Sequence, residues 1–183
     1  DSGTLRFYEN VATSEGEYSQ YVARTGARGP FFPGFASGAN VVASTAPAVG
    51  DLDGDAVLDL VVGDSDGALH YFKNAGSKAS PELYEVIGAD NPFDGVNVGE
   101  IGVPALGDLY GTGLLDLVVG NKDGTLKFFK NVGSKAAPSY EEKTGGENPF
   151  DGRDVGSNAA PALADVDGDG DLDAAVADGL AVV

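Results

Sequence analysis

The sequence contains no cysteine. Disulfides, zinc–thiolate centres and cysteine nucleophiles are therefore excluded, but secretion is not, because a bound metal can staple a fold instead. There is a single histidine, His70, so Ser–His and Cys–His nucleophile systems have almost nothing to work with. Basic residues are scarce, 11 Lys and Arg against 29 Asp and Glu, for a formal net charge of −18. Such a chain lacks the basic surface that binds nucleic-acid phosphates. No apolar run approaches the ~18 residues of a membrane helix, and no membrane span is expected. No Asn-X-Ser/Thr acceptor is present. Asp1 opens no basic segment followed by an apolar stretch, so a signal peptide is expected to have been removed already or to belong to a longer precursor.

What the chain has in quantity is glycine, 28 residues of 183. Glycine at that density, with short apolar runs and no Ala/Glu/Lys-rich blocks, points to many short strands. The length suits one domain with a real core.

The most informative stretch is Asp165-Val166-Asp167-Gly168-Asp169-Gly170-Asp171-Leu172-Asp173, with five carboxylates in nine residues. Like charges that dense are costly to fold into a tight loop unless a cation sits among them. Alternation places Asp165, Asp167 and Asp169 on one side of a turning chain, Asp173 closes the cage, and the carbonyl of Asp171 can point inward. Gly168 and Gly170 permit the backbone angles needed. Hard oxygen ligands in this number suit Ca²⁺ better than Mg²⁺, which keeps more of its waters. An EF-hand is excluded, because the twelfth residue from Asp165 is Val176 rather than a glutamate, and the flanking apolar runs are too short for a helix pair. The expectation is a nine-residue calcium loop joining two strands.

The chain repeats with a period of 57 residues: Asp51, Asp108 and Asp165 correspond, as do Pro47, Pro104 and Pro161. Asp59-Leu60-Val61-Val62-Gly63 recurs as Asp116-Leu117-Val118-Val119-Gly120, and Asn91-Pro92-Phe93-Asp94-Gly95 as Asn148-Pro149-Phe150-Asp151-Gly152. Each unit reads as four strands. In the first whole unit they fall at 46–50, 58–62, 68–73 and 83–86, with an Asp/Gly-rich hairpin turn at 63–67. The Asn-Pro-Phe-Asp-Gly loop then crosses to the next unit. Residues 2–10 match a third strand and 18–23 a fourth, with extra residues in 26–40. At the far end, 172–176 reads as a second strand, and 179–183 begins a third. The division is therefore a partial repeat 1–46, repeats 47–103 and 104–160, and a partial repeat 161–183, all in one domain. Four antiparallel strands that are apolar on both faces are the pattern of a β-propeller blade.

These residues resemble the FG-GAP/VCBS repeats of calcium-bound β-propellers, the type also found in the heads of integrin α subunits. The most specific part is Asp-x-Asp-Gly-Asp-x-x-x-Asp followed by Leu-Val-Val-Gly. The resemblance implies an all-β fold of propeller blades with Ca²⁺ held between the first two strands of a blade. Its implied ligands are Asp51, Asp53, Asp55 and Asp59 with the Val57 carbonyl in one loop. In another they are Asp165, Asp167, Asp169 and Asp173 with the Asp171 carbonyl. In the middle loop Tyr110 and Thr112 replace two carboxylates, so Asp108 and Asp116 make a third site doubtful. Gly63-Asp64 and Gly120-Asn121 stand where the family has Gly-Ala-Pro, which counts against integrin-style ligand binding.

No catalytic constellation emerges. His70 corresponds to Arg6 and Lys127 and reads as a satisfied or solvent-edge strand residue. Glu100, Glu141 and Glu142 read as surface carboxylates. Gly111-Thr112-Gly113 precedes a strand and is not a phosphate loop. The pairs Phe7/Tyr8, Tyr71/Phe72 and Phe128/Phe129 read as packing between blades, and Phe93 and Phe150 as plugs against a neighbouring blade. The expected function is a non-catalytic, calcium-binding, extracellular or cell-surface module for structure or adhesion. A sugar-binding, lectin-like propeller is the alternative, and an enzyme ranks below both. The protein or glycan ligand is not named by the sequence. About three blades are fewer than the usual four to eight, so the 183 residues are expected to continue in a longer propeller or to pair as a homodimer.

Overall fold

The computed structural model describes residues 7–11, 21–24 and 46–179. The strand expectations at 2–6, 18–20 and 180–183, and the extra residues at 26–40, lie outside the described residues. Two strands stand at the start, β1 (Phe7–Asn10) and β2 (Tyr21–Arg24), paired antiparallel. Next come β3 (Ala46–Gly50), β4 (Asp59–Gly63), β5 (Leu69–Asn74) and β6 (Leu83–Val86), a four-stranded antiparallel meander. A second meander follows, β7 (Val103–Gly107), β8 (Asp116–Gly120), β9 (Leu126–Asn131) and β10 (Tyr140–Lys143). The last pair is β11 (Ala160–Ala164) and β12 (Asp173–Ala177). Each strand of the second meander begins 57 residues after its counterpart in the first. The fold is all-β: no α-helix occurs among the described residues, and the Asn-Pro-Phe-Asp-Gly loops are entered through single 3₁₀ turns at Gly88–Asp90 and Gly145–Glu147.

The second strand of each meander is its core. All five residues of β4 and all five of β8 are buried, as expected of a strand covered on both faces. Because successive side chains point to opposite faces, Val61 and Tyr71 face one way and Leu60 and Phe72 the other. One apolar cluster joins Val61, Leu69 and Tyr71 of the first sheet to Leu117, Val119 and Phe129 of the second. The other face of the second sheet, with Val118 and Phe128, packs against Ala159, Leu163 and Val176 at the third. Sheets therefore stack in a row, with β7 against β3 and β4, and β11 against β7 and β8. The described residues show this row and no closed ring. Pro47, Pro104 and Pro161 all lie on first strands, which have a neighbour on one side only, where a missing N–H costs no ladder bond.

The repeated glycine ending Leu-Val-Val-Gly has a steric cause. A Cβ on Gly63 would lie 2.2 Å from the carbonyl oxygen of Gly102, and one on Gly120 would lie 2.1 Å from that of Ala159. The chain entering each new sheet thus runs directly over the end of the previous second strand. Leucines of the following unit make the matching contact at the other end. Leu115 reaches the Cα region of Gly50 and Leu172 that of Gly107, each leaving under 3 Å for a Cβ. β3 to β6 and β12 start and end within one residue of the expected positions. The shift from Leu58 to Asp59 follows from the Asp59 carboxylate, which accepts the Asn74 N–H at 2.8 Å and ties the strand's start to the end of β5.

Candidate metal centre

Three loops occupy the same place, between the first and second strands of a sheet: 51–58, 108–115 and 165–172. Their backbone is shaped by the leading aspartate. In the first loop Asp51 accepts the N–H groups of Gly54 at 2.8 Å and Ala56 at 3.0 Å. In the last, Asp165 accepts those of Gly168 at 2.7 Å and Gly170 at 3.1 Å. Two residues in each loop take left-handed angles, Gly54 and Ala56 in one, Gly168 and Gly170 in the other. The closing aspartate reaches back across the loop: Asp59 accepts from Leu52 N–H at 3.1 Å, and Asp173 from Val166 N–H at 3.0 Å.

This wrapping gathers carboxylates. One oxygen each from Asp51, Asp53 and Asp59 lie within 4.8 Å of one another, and so do oxygens of Asp165, Asp167 and Asp173. Either group could hold a metal ion. The residues fit calcium by chemistry, since three carboxylates on a loop open to further backbone and water oxygens match its preference for six to eight hard ligands. Asp55 and Asp169 stand outside these groups and accept the N–H of Val57 at 2.8 Å and of Asp171 at 2.9 Å. Val57 is half-buried and Asp171 exposed.

The two groups differ in surroundings. Asp59 is buried, with both oxygens engaged by Leu52 and Asn74 N–H and by the Tyr71 hydroxyl at 3.2 Å. Burial raises its pKa above the ordinary carboxylate value, and the neighbouring Asp53 charge adds to this against the hydrogen bonds that lower it. Asp53 is paired with the Lys73 ammonium from β5. Asp165, Asp167 and Asp173 are all exposed, and among the described residues no ammonium pairs with them.

The middle loop keeps the wrapping and loses the cluster. Asp108 accepts Thr112 N–H at 2.9 Å and Gly113 N–H at 2.6 Å. Burial works against its charged form, but these bonds outweigh it and hold the carboxyl below its usual range. Asp116 is buried and accepts the Asn131 N–H at 2.9 Å, and burial raises its pKa. Tyr110 occupies the position of the second carboxylate, and among the described residues no third carboxylate joins Asp108 and Asp116.

His70 is held between two carboxylates, Nδ1 at 2.8 Å from Glu85 and Nε2 at 3.0 Å from Asp64. It is a satisfied strand residue, as expected, but its partners were not read from the sequence. Asp64 is also buried and accepts the N–H groups of Asp66 and Ala68, which builds the β4–β5 turn. The Lys73–Asp53 pair was missed as well, although lysine recurs at 73 and 130.

All-β meanders repeated at a fixed interval, each with an acidic loop between its first two strands, define an all-β repeat protein. Residues 108–176 match the family model of the FG-GAP-like repeat. The match runs from the middle loop through the last acidic loop to β12. No curated protein and no solved structure matches the chain.

Proposed function

We propose that the chain is a calcium-binding, non-catalytic module of the β-propeller type that serves structure or adhesion outside the cell. The observation that carries this reading is the pair of three-carboxylate groups at equivalent positions of two units, each with oxygens within 4.8 Å. Asp51, Asp53 and Asp59 would hold one ion, and Asp165, Asp167 and Asp173 the other. Bound calcium neutralises carboxylates that otherwise repel and ties the first strand of a sheet to the second. Calcium sites of extracellular modules typically fill at about 10⁻⁴–10⁻³ M. The one histidine is engaged by Asp64 and Glu85, which favours a structural over a catalytic role for it.

Thermal unfolding in calcium and in EDTA tests the reading. At calcium a hundredfold above Kd, one site adds about 2.7 kcal/mol by mass action, so EDTA is expected to lower Tm by several degrees. An unchanged Tm overturns it. Sugar binding takes second place. The groove between the first two acidic loops is lined by Asp51, Leu52, Gly54, Leu115, Asn131 and Lys135 among others, and offers hydrogen-bonding groups without an aromatic floor. Saturable binding of one glycan on an array would promote that alternative.

A further inference from the structure

We propose that Lys73 is a tethered cation that competes with the metal at loop 51–58 and weakens calcium binding there. The proposal rests on the calcium reading of these loops.

The Lys73 ammonium sits on Asp53, whose side chain is only 9 % exposed, while its own side chain is 35 % exposed. Asp53 is one of the three residues whose oxygens converge. A divalent ion entering that group meets a unit positive charge already in contact with one of its ligands. It must either share Asp53 with the ammonium or displace it. Displacement is feasible, because a lysine has a flexible four-carbon stem and an exposed route to water. It is not free, because a partly buried pair is broken and the ammonium remains nearby as a like charge. The middle unit supplies a second case: there Lys130 turns to the Tyr110 ring, 4.5 Å from its centroid, and no three-carboxylate group forms among the described residues. The lysine on the third strand thus follows whatever residue stands at the loop's third position, and only at Asp53 does it occupy a candidate metal ligand.

The experiment isolates the first loop by Asp167→Ala and titrates calcium calorimetrically, with and without Lys73→Met, which keeps the length of the side chain. Lys73→Met is expected to tighten calcium binding by up to about fivefold, the effect of removing one partly exposed competing charge. Lys73→Arg is expected to leave it weak. In EDTA the Lys73→Met protein should melt below its Lys73 parent, since Asp53 loses its counter-charge, and calcium should close that gap. If the Lys73→Met protein binds calcium no more tightly than its parent, Lys73 is no competitor, and the calcium reading stands without it. If the wild-type protein takes up no calcium, the calcium reading fails and the proposal with it.

Discussion

Lys130 holds its ammonium 4.5 Å from the centroid of the Tyr110 ring, whereas its counterpart one repeat earlier, Lys73, is paired with Asp53. Asp53 and Tyr110 are themselves equivalent positions, 57 residues apart. The same strand in two sheets therefore delivers the same cation to the same place, and the loop decides what it meets. A carboxylate there leaves the loop able to gather three oxygens. An aromatic face satisfies the lysine by cation–π attraction and gives a metal nothing to bind.

Tyr110→Ala is accordingly expected to leave calcium stoichiometry as in the wild type, while Asp53→Ala and Asp167→Ala each remove one site. The tyrosine is half-exposed, its ring 6.1 Å from Phe128, so its loss should cost about 1 kcal/mol. Calorimetric titration of the three variants checks this. A drop in stoichiometry for Tyr110→Ala would mean the middle loop binds metal after all.

Ala56 carries a positive φ of 68°, at the position where the other two loops have Gly113 and Gly170, with φ of 78° and 98°. A side chain in the left-handed region is strained by about 1–2 kcal/mol. Glycine relieves that strain but adds freedom to the unfolded chain, worth about 0.5–1 kcal/mol. Ala56→Gly is expected to stabilise the protein by roughly 0.5 kcal/mol on balance. Urea unfolding measures it, and a lower midpoint for the variant would show that the loop is not strained there.

His70 gives the stability a pH dependence of defined sign. Burial opposes its charged form, but hydrogen bonds to Glu85 and Asp64 and the charges of both outweigh that and hold its pKa above the ordinary histidine value. A raised folded-state pKa means the stabilisation is complete below the unfolded value of about 6.5. It is lost as pH rises through the higher folded-state value. Melting at fixed calcium should therefore fall between pH 6 and 8 in the wild type by more than in His70→Gln, whose curve should be flatter. Equal slopes would show that the imidazolium is not what Asp64 and Glu85 hold.

Strand positions were legible because the 57-residue repeat states each of them two or three times, and because Asp-Gly turns and apolar runs have direct local causes. The acidic loops were legible for the same reason, and the structure gathers three of the four carboxylates named in each. The fourth, Asp55 or Asp169, sits where its own loop offers a backbone N–H two residues on, a local competition that spacing does not reveal. Partners set by register were not legible. Glu85 reaches His70 because β6 pairs with β5, with Phe72 opposite Glu85. Lys73 reaches Asp53 across twenty residues only once β5 lies beside β4. A recurring lysine at 73 and 130 was the available sign, since a charge kept at one strand position suggests a fixed partner.

The crossing loops supply the last prediction. Phe93 and Phe150 occupy the same place in Asn-Pro-Phe-Asp-Gly, and in each loop the preceding asparagine fixes the turn. Asn91 accepts the Phe93 N–H at 3.0 Å and Asn148 the Phe150 N–H at 2.9 Å. Phe93 is 1 % exposed, its ring 4.6 Å from that of Tyr140 on β10 of the next sheet. It plugs the seam between two sheets rather than presenting a face to a ligand. Phe150 is half-buried against the cluster of Val118, Leu126 and Phe128. Truncating a fully buried phenylalanine costs about 3–5 kcal/mol, so Phe93→Ala is expected to lose that much, Phe150→Ala clearly less, and Phe93→Leu only part. Urea unfolding of the three variants in calcium ranks them. If Phe93→Ala unfolds at the wild-type midpoint, the ring is not a plug, and a ligand-binding role for the crossing loops becomes the better account.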